Sequence, residues 1–208
     1  MATGKNTRAA GAAARERVAA ARAEAERKTR RGKVIFRGTL AVLLVGGIGS
    51  LTAVMLASQK SDTISGVQSI SVAAQPKHVT GSVVYPQTPP VGGDHNATPQ
   101  TCGVYTSAVT NENAVHSLEH GAVWITYQPG IPATDIAALT ADVKGKDHLM
   151  LSPYPGQPGL ITLNAWGKQL NVGSASDSRI AKFISKYVNG PQTPEPGAAC
   201  SGTGSPVG

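Results

Sequence analysis

Cysteine is scarce in this sequence, since Cys102 and Cys200 are the only two among 208 residues. Common thiolate metal sites need closely spaced cysteine pairs, so this spacing argues against a cysteine-bound metal. The chain also lacks a Gly-x-Ser-x-Gly nucleophile elbow, a phosphate-binding loop and an internal repeat. These absences argue against serine hydrolases of that type, P-loop nucleotide binding and repeat architectures.

Charge is absent from the stretch between Gly38 and Ser58, which is rich in Leu, Val, Ala and Gly. At about 1.5 Å per residue, a helix of this length crosses a hydrocarbon core about 30 Å thick. Residues 1–37 carry eleven Lys or Arg against three Glu. The positive-inside rule therefore predicts a cytoplasmic N-terminus and an extracytoplasmic remainder. We expect an uncleaved anchor, because the polar segment before the apolar run is too long for a signal peptide.

The basic arm, residues 1–37, consists largely of Ala, Arg and Glu and cannot form a hydrophobic core. We expect it to lie near anionic lipid headgroups, where each Lys or Arg contributes about 1 kcal/mol. No aromatic residue is interleaved with its charges before Phe36, which disfavours nucleic-acid binding. The expected partners are membrane lipid, through the anchor and the arm, and an envelope protein for the exported part.

Both cysteines fall on the side of the membrane predicted to be oxidising, where two thiols most simply form one disulfide. A Cys102–Cys200 bond would close a loop of about 100 residues and contribute at most about 4.7 kcal/mol in the chain-entropy treatment. It would also tie the Pro/Gly-rich tail, residues 191–208, to the domain.

The sequence between anchor and tail divides into a linker, residues 59–80, and an α+β domain, residues 81–190. Periodicity and Pro/Gly punctuation predict a short mixed or antiparallel sheet and about three helices. The predicted strands cover 83–85, 104–107, 122–127, 148–151 and 159–166. The predicted helices cover 111–120, with Asn111 as the cap, 134–144 and 177–189.

Histidine is the residue with the clearest potential for chemistry. His116 and His120 are four apart on a predicted helix, so their rings share one face. His95 follows Gly92 and Gly93, which allow a loop to approach closely. Three imidazoles leave one coordination position open and suit Zn or Cu better than Mg or Ca. The sequence therefore predicts a metal site at His95, His116 and His120.

Further side chains could complete such a site. Glu119 could act as a ligand, Met150 as a thioether that would favour Cu(I), and Asp94 and Glu112 as carboxylates that orient a ligand. In the alternative interpretation, hydrogen bonds satisfy the histidines and the domain is an envelope interaction module.

The string from His116 to His120 also matches the His-x-x-Glu-His motif of inverted zinc peptidases, in which the glutamate activates a zinc-bound water. In that alternative Glu119 is the catalytic base. The predicted helix ends at Gly121, however, and the later acidic residues form no second motif. A non-enzymatic domain is therefore favoured over a hydrolase.

Several motifs resemble the actinobacterial, membrane-anchored domain-of-unknown-function 3105 family. They are Tyr85-Pro86-x-x-Pro89-Pro90-x-Gly92-Gly93-x-His95, Gly103-x-Tyr105, Val115-His116-x-Leu118-Glu119-His120-Gly121 and Ala165-Trp166-Gly167. The resemblance implies an N-terminal membrane helix and no established activity. Where the family has Ser-Gly-x-His, this chain has Gly92-Gly93-Asp94-His95, which keeps the histidine.

Overall fold

The computed structural model describes Arg22, Glu24, 27–30 and 63–207. The chain divides into two units, Met1–Thr63 and Ile64–Gly208. In the first unit, Arg22, Glu24 and 27–30 are helical and exposed, and Lys28 Nζ lies 3.1 Å from Glu24 Oε1. The predicted span, 38–58, and most of the predicted arm lie outside the described residues. Within the part that is described, no helix has the length and apolar character needed to cross a bilayer.

The second unit is a mixed α+β fold, as the sequence predicts. Its elements are β1 (Gln68–Ser69), β2 (Gly103–Val104), α1 (Asn111–Glu119), β3 (Val123–Tyr127), α2 (Ala133–Val143), β4 (Leu149–Pro153), β5 (Ile161–Ala165), β6 (Lys168–Val172) and α3 (Arg179–Tyr187). The strands form one sheet in the order β1-β6-β5-β3-β4-β2. Strands β2, β4 and β3 pair in parallel, and β3, β5, β6 and β1 pair antiparallel.

Alternating side chains of the sheet pack into two hydrophobic clusters. Val123 and Ile125 of β3 join the cluster that includes Phe183 of α3 and Leu139 of α2. Trp124, between them in sequence, joins the cluster that includes Leu118 of α1. Helices α2 and α3 therefore cover one face of the sheet, and α1 covers the other.

The structure corrects several predicted elements. No strand forms at 83–85, where the Val83 amide instead donates to Glu112 Oε1 at 2.7 Å. Thr110, and not Asn111, occupies the N-cap of α1, and its side chain makes no capping bond. The predicted strand at 159–166 is the first strand of a hairpin. After a turn at Gly167, β6 pairs with β5 in the antiparallel direction. Residues 168–172 mix Lys, Gln and Asn with apolar residues, which concealed β6 in the sequence.

The predicted linker, 59–80, contains β1, and Ile64 and Val67 pack against the core. At the other end, the tail runs beside the segment before β2. The Thr101 amide donates to Thr203 O at 2.8 Å, and the Cys102 amide donates to Cys200 O at 3.0 Å. The predicted Cys102–Cys200 disulfide is present and joins these two segments covalently.

Removing this disulfide should destabilise the domain. The bond joins residues 98 apart, so its loss releases a long loop in the unfolded chain. We expect the double variant Cys102→Ser/Cys200→Ser to lower the free energy of unfolding by about 2–5 kcal/mol in urea titrations. Reduction of the wild-type protein should give a similar loss. A change below about 1 kcal/mol in both would contradict this role.

Candidate metal centre

Four side chains converge between α1 and the loops that pass over it. His78, His95, His116 and Glu119 each offer one ligand atom, and these atoms all lie within 4.8 Å of one another. His95, His116 and Glu119 are buried, whereas His78 is exposed. We call these four residues the inner group.

A main-chain bridge sets His78 beside His95. The Val79 amide donates to His95 O at 2.8 Å, and the His95 amide donates to Lys77 O at 3.0 Å. The bridge brings the two imidazoles to a centroid distance of 5.0 Å. The loop that carries His95 also passes close to Val72. It can do so because Gly92 has φ of 148° and no side chain, whereas a Cβ there would lie 2.8 Å from Val72.

Helix α1 carries the other two members of the inner group. His116 and Glu119 are three residues apart, so they lie on neighbouring positions of one helical face. The helix ends in a Schellman arrangement, in which the Ala122 amide donates to Ser117 O and the Gly121 amide to Leu118 O. Gly121 takes φ of 107°, and a Cβ there would clash with Asn189. These contacts fix the position of the C-terminal end of α1, which carries His116 and Glu119.

Backbone carbonyls fix the orientation of three imidazoles. His95 Nδ1 donates to Gly93 O at 2.8 Å, and His116 Nδ1 donates to Asn96 O at 2.6 Å. His120 Nδ1 donates to Ala199 O at 2.8 Å. A carbonyl oxygen only accepts, so the proton of each neutral ring is on Nδ1 and the lone pair is on Nε2. Metal-binding histidines typically show this arrangement, with the other ring nitrogen donating to a carbonyl or carboxylate.

The Nε2 lone pairs face other acceptors. His116 Nε2 lies 2.9 Å from His120 Nε2, and His95 Nε2 lies 3.0 Å from Glu119 Oε2. His95 Nε2 is buried and has no hydrogen-bond partner among the described residues. Two acceptors at such distances repel each other unless a proton or a metal ion lies between them. The geometry thus calls for positive charge at this point.

His116 itself is not the source of that positive charge. The pKa of His116 is lowered to about 4. Burial is the main cause, the hydrogen bond to the Asn96 carbonyl opposes it, and the neighbouring rings of His120, His95 and His78 add to the lowering. His116 is therefore neutral at neutral pH, the state in which an imidazole binds a metal. The donor set of three imidazoles and one carboxylate matches that of zinc or divalent copper.

The predicted ligands His95 and His116 lie together in the inner group. His120 contacts His116 but is not one of the four residues. Its ring lies 4.4 Å from that of His116, centroid to centroid, and its Nε2 lies 3.6 Å from Glu195 Oε2. Glu119, proposed as a further ligand, is within the group.

The other side chains predicted to complete the site, Met150, Asp94 and Glu112, are not in the inner group. Met150 is fully buried in the hydrophobic cluster with Trp124, outside the inner group. Asp94 Oδ1 accepts from the Lys77 amide at 2.8 Å, and so fastens the segment next to His78. Glu112 accepts from the Val83 amide. These two carboxylates therefore hold backbone segments near the site.

Sequence reasoning missed His78 as a ligand. The residue lies in the predicted linker, in a region without periodicity, and its position depends on one bridge to His95. The one available signal was that all five histidines follow the apolar run, so His78 belongs to the same segment as the others, the one predicted to be exported.

Comparison with known proteins identifies the chain as a member of the family described as Protein of unknown function (DUF3105), which matches residues 78–202. The matched region contains the whole inner group and both cysteines. No curated protein and no solved structure matches the chain. Family membership therefore supplies no activity, and function must be argued from the site.

The lowered pKa of His116 predicts a pH dependence for the metal-free protein. The unfolded chain binds a proton at His116 near pH 6.5, whereas the folded protein does so near pH 4. Protons therefore favour the unfolded state as pH falls through this window. Between pH 7 and pH 5, chelator-treated wild type should lose more free energy of unfolding than His116→Gln does. Equal losses in urea titrations of the two proteins would contradict the lowered pKa.

Proposed function

We propose that this protein binds one divalent zinc or copper ion through His78, His95, His116 and Glu119. The observation that carries the proposal is the convergence of four ligand atoms within 4.8 Å. One of them, His95 Nε2, is buried without a hydrogen-bond partner and lies 3.0 Å from Glu119 Oε2. Ligand atoms at about 2.0–2.2 Å from one ion lie about 3.3–3.6 Å apart in a tetrahedron. Small side-chain adjustments therefore suffice to form the site.

The ligand set favours a divalent ion. Imidazole and carboxylate suit Zn²⁺ and Cu²⁺, whereas Cu⁺ is bound preferentially by thiolate and thioether sulfur. Met150, the one thioether considered, packs in the hydrophobic core, and both cysteines are oxidised. Zinc and divalent copper are thus the ions that we expect, with a buried, neutral His116 as the central ligand.

Binding is favoured over hydrolysis. A catalytic zinc keeps one coordination position for water, whereas four protein ligands fill a tetrahedral site. Glu119 Oε2 lies 3.0 Å from His95 Nε2 and so belongs with the ligands, whereas a peptidase would keep it free as the base. Our proposal is therefore an ion-binding protein of the cell envelope.

The location is also part of the proposal. The apolar run 38–58 and the basic arm support a single-pass anchor with the metal domain outside the cytoplasm. The disulfide is consistent with an oxidising compartment. A metal site in this position would take ions from the envelope, before they enter the cell or after they leave it.

Titration of the chelator-treated, full 208-residue chain with Zn²⁺ and with Cu²⁺ tests the proposal. We expect one ion per chain by calorimetry and elemental analysis. His95→Ala, His116→Ala and Glu119→Gln should each weaken binding at least about 100-fold, because loss of even an outer partner of a metal ligand costs about 10–100-fold.

His148→Asn provides a matched control. His148 is also buried and donates from Nε2 to Ala198 O at 2.9 Å, but it is outside the inner group. It takes φ of 55°, a conformation that Asn tolerates. This variant should keep wild-type affinity. A wild-type protein that is folded and oxidised but binds neither ion would contradict the proposal and favour an interaction module with structural histidines.

A further inference from the structure

Three side chains lead from solvent to the inner group. They are Glu195, whose side chain is 60% exposed, His120, whose side chain is 11% exposed, and the buried His116 of the inner group. Glu195 Oε2 lies 3.6 Å from His120 Nε2, which lies 2.9 Å from His116 Nε2. Each of these separations is short enough for one ion to contact both atoms at bonds of about 2.0–2.2 Å.

The tail holds Glu195 at the end of α1. The Glu195 amide donates to Glu119 O at 3.1 Å, and the Gly197 amide donates to His120 O at 3.1 Å. Ala199 O in turn accepts from His120 Nδ1, which keeps His120 Nε2 free of a proton in the neutral ring. The Cys200 disulfide fixes the far end of this segment. The Glu195 carboxylate is thus anchored through its backbone while it remains exposed to ions in solution.

We propose that Glu195 and His120 form an outer metal position that loads the inner group. This inference rests on the proposed function, since it requires an ion at the inner group. A divalent ion binds first between Glu195 Oε2 and His120 Nε2. It then exchanges these ligands for His116 Nε2, which borders both positions, and passes to His95 and Glu119.

One lone pair makes the two positions mutually exclusive at His116. Its Nδ1 is committed to Asn96 O, so Nε2 is its only free ligand atom. A single nitrogen lone pair binds one ion at a time. His116 Nε2 can therefore bind an ion at only one of the two positions at a time, and it passes the ion from the outer position to the inner group.

This order of events makes a kinetic prediction. Glu195 does not contact the ion in its final position, so its removal should leave the dissociation constant unchanged and slow association and dissociation by the same factor. A carboxylate that binds the ion on the path lowers the barrier for entry and for exit alike, and charged side chains that line a cleft change association rates by about tenfold or more. We expect about a tenfold decrease in both rates for Glu195→Gln.

Stopped-flow mixing of Cu²⁺ with the metal-free, full 208-residue chain measures this rate. Tryptophan fluorescence provides the signal, because the Trp166 ring lies 6.2 Å from that of His95 in the inner group. Equilibrium titration gives the dissociation constant of each variant. His120→Gln should also load slowly and still hold one ion per chain.

Asp147→Asn is the matched control. Asp147 is an exposed carboxylate beside another histidine, with Oδ2 3.0 Å from His148 Nδ1, and its loss changes the net charge equally. It should load at the wild-type rate. An unchanged rate in Glu195→Gln, which would indicate loading past exposed His78, overturns the inference. An equal decrease in Asp147→Asn, or loss of the ion in His120→Gln, also overturns it. A wild type that binds no ion instead refutes the proposed function itself.

Discussion

The hydrogen bonds from imidazole Nδ1 to main-chain carbonyls are the interactions on which the site depends. They set the tautomer of His95, His116 and His120, and so aim three lone pairs away from the backbone. Turning the rings to relieve the close approach of His95 to Glu119, or of His116 to His120, would break these hydrogen bonds to the carbonyls. Positive charge between these atoms would relieve both approaches, and in the function that we propose a divalent ion supplies it while His116 stays neutral.

Segments distant in sequence supply those carbonyls, and this distribution ties the site to the fold. Gly93 and Asn96 lie on the loop before β2, whereas Ala199 lies on the tail that the disulfide joins to Cys102. The bridge between His78 and His95 adds the segment after β1. A helix alone would offer two histidines to solvent. The surrounding loops add His78 and His95 to the helix residues His116 and Glu119, and three of these four side chains are buried.

Helices and strands with a periodic apolar pattern could be predicted from the sequence. Strands that are recognisable only by their hydrogen bonds to a neighbouring strand could not. The apolar stripe of α3 and the buried run of β3 were evident, whereas β6 has a polar sequence and β1 has two residues. The same distinction applies to the site. Helical spacing identified His116 and His120, and glycines before His95 identified a loop able to approach them. His78 and Glu195 reach the site through main-chain bonds between distant segments, which no local pattern records.

The ion itself provides the most direct test of this account. Crystals of the zinc-loaded protein, measured at wavelengths on both sides of the zinc absorption edge, would locate it by anomalous scattering. The account predicts one strong peak about 2.0–2.2 Å from Nε2 of His95, Nε2 of His116 and a carboxylate oxygen of Glu119, with a His78 nitrogen completing the tetrahedron. Zinc only at surface positions, with His95 Nε2 still against Glu119 and no peak between them, would contradict it.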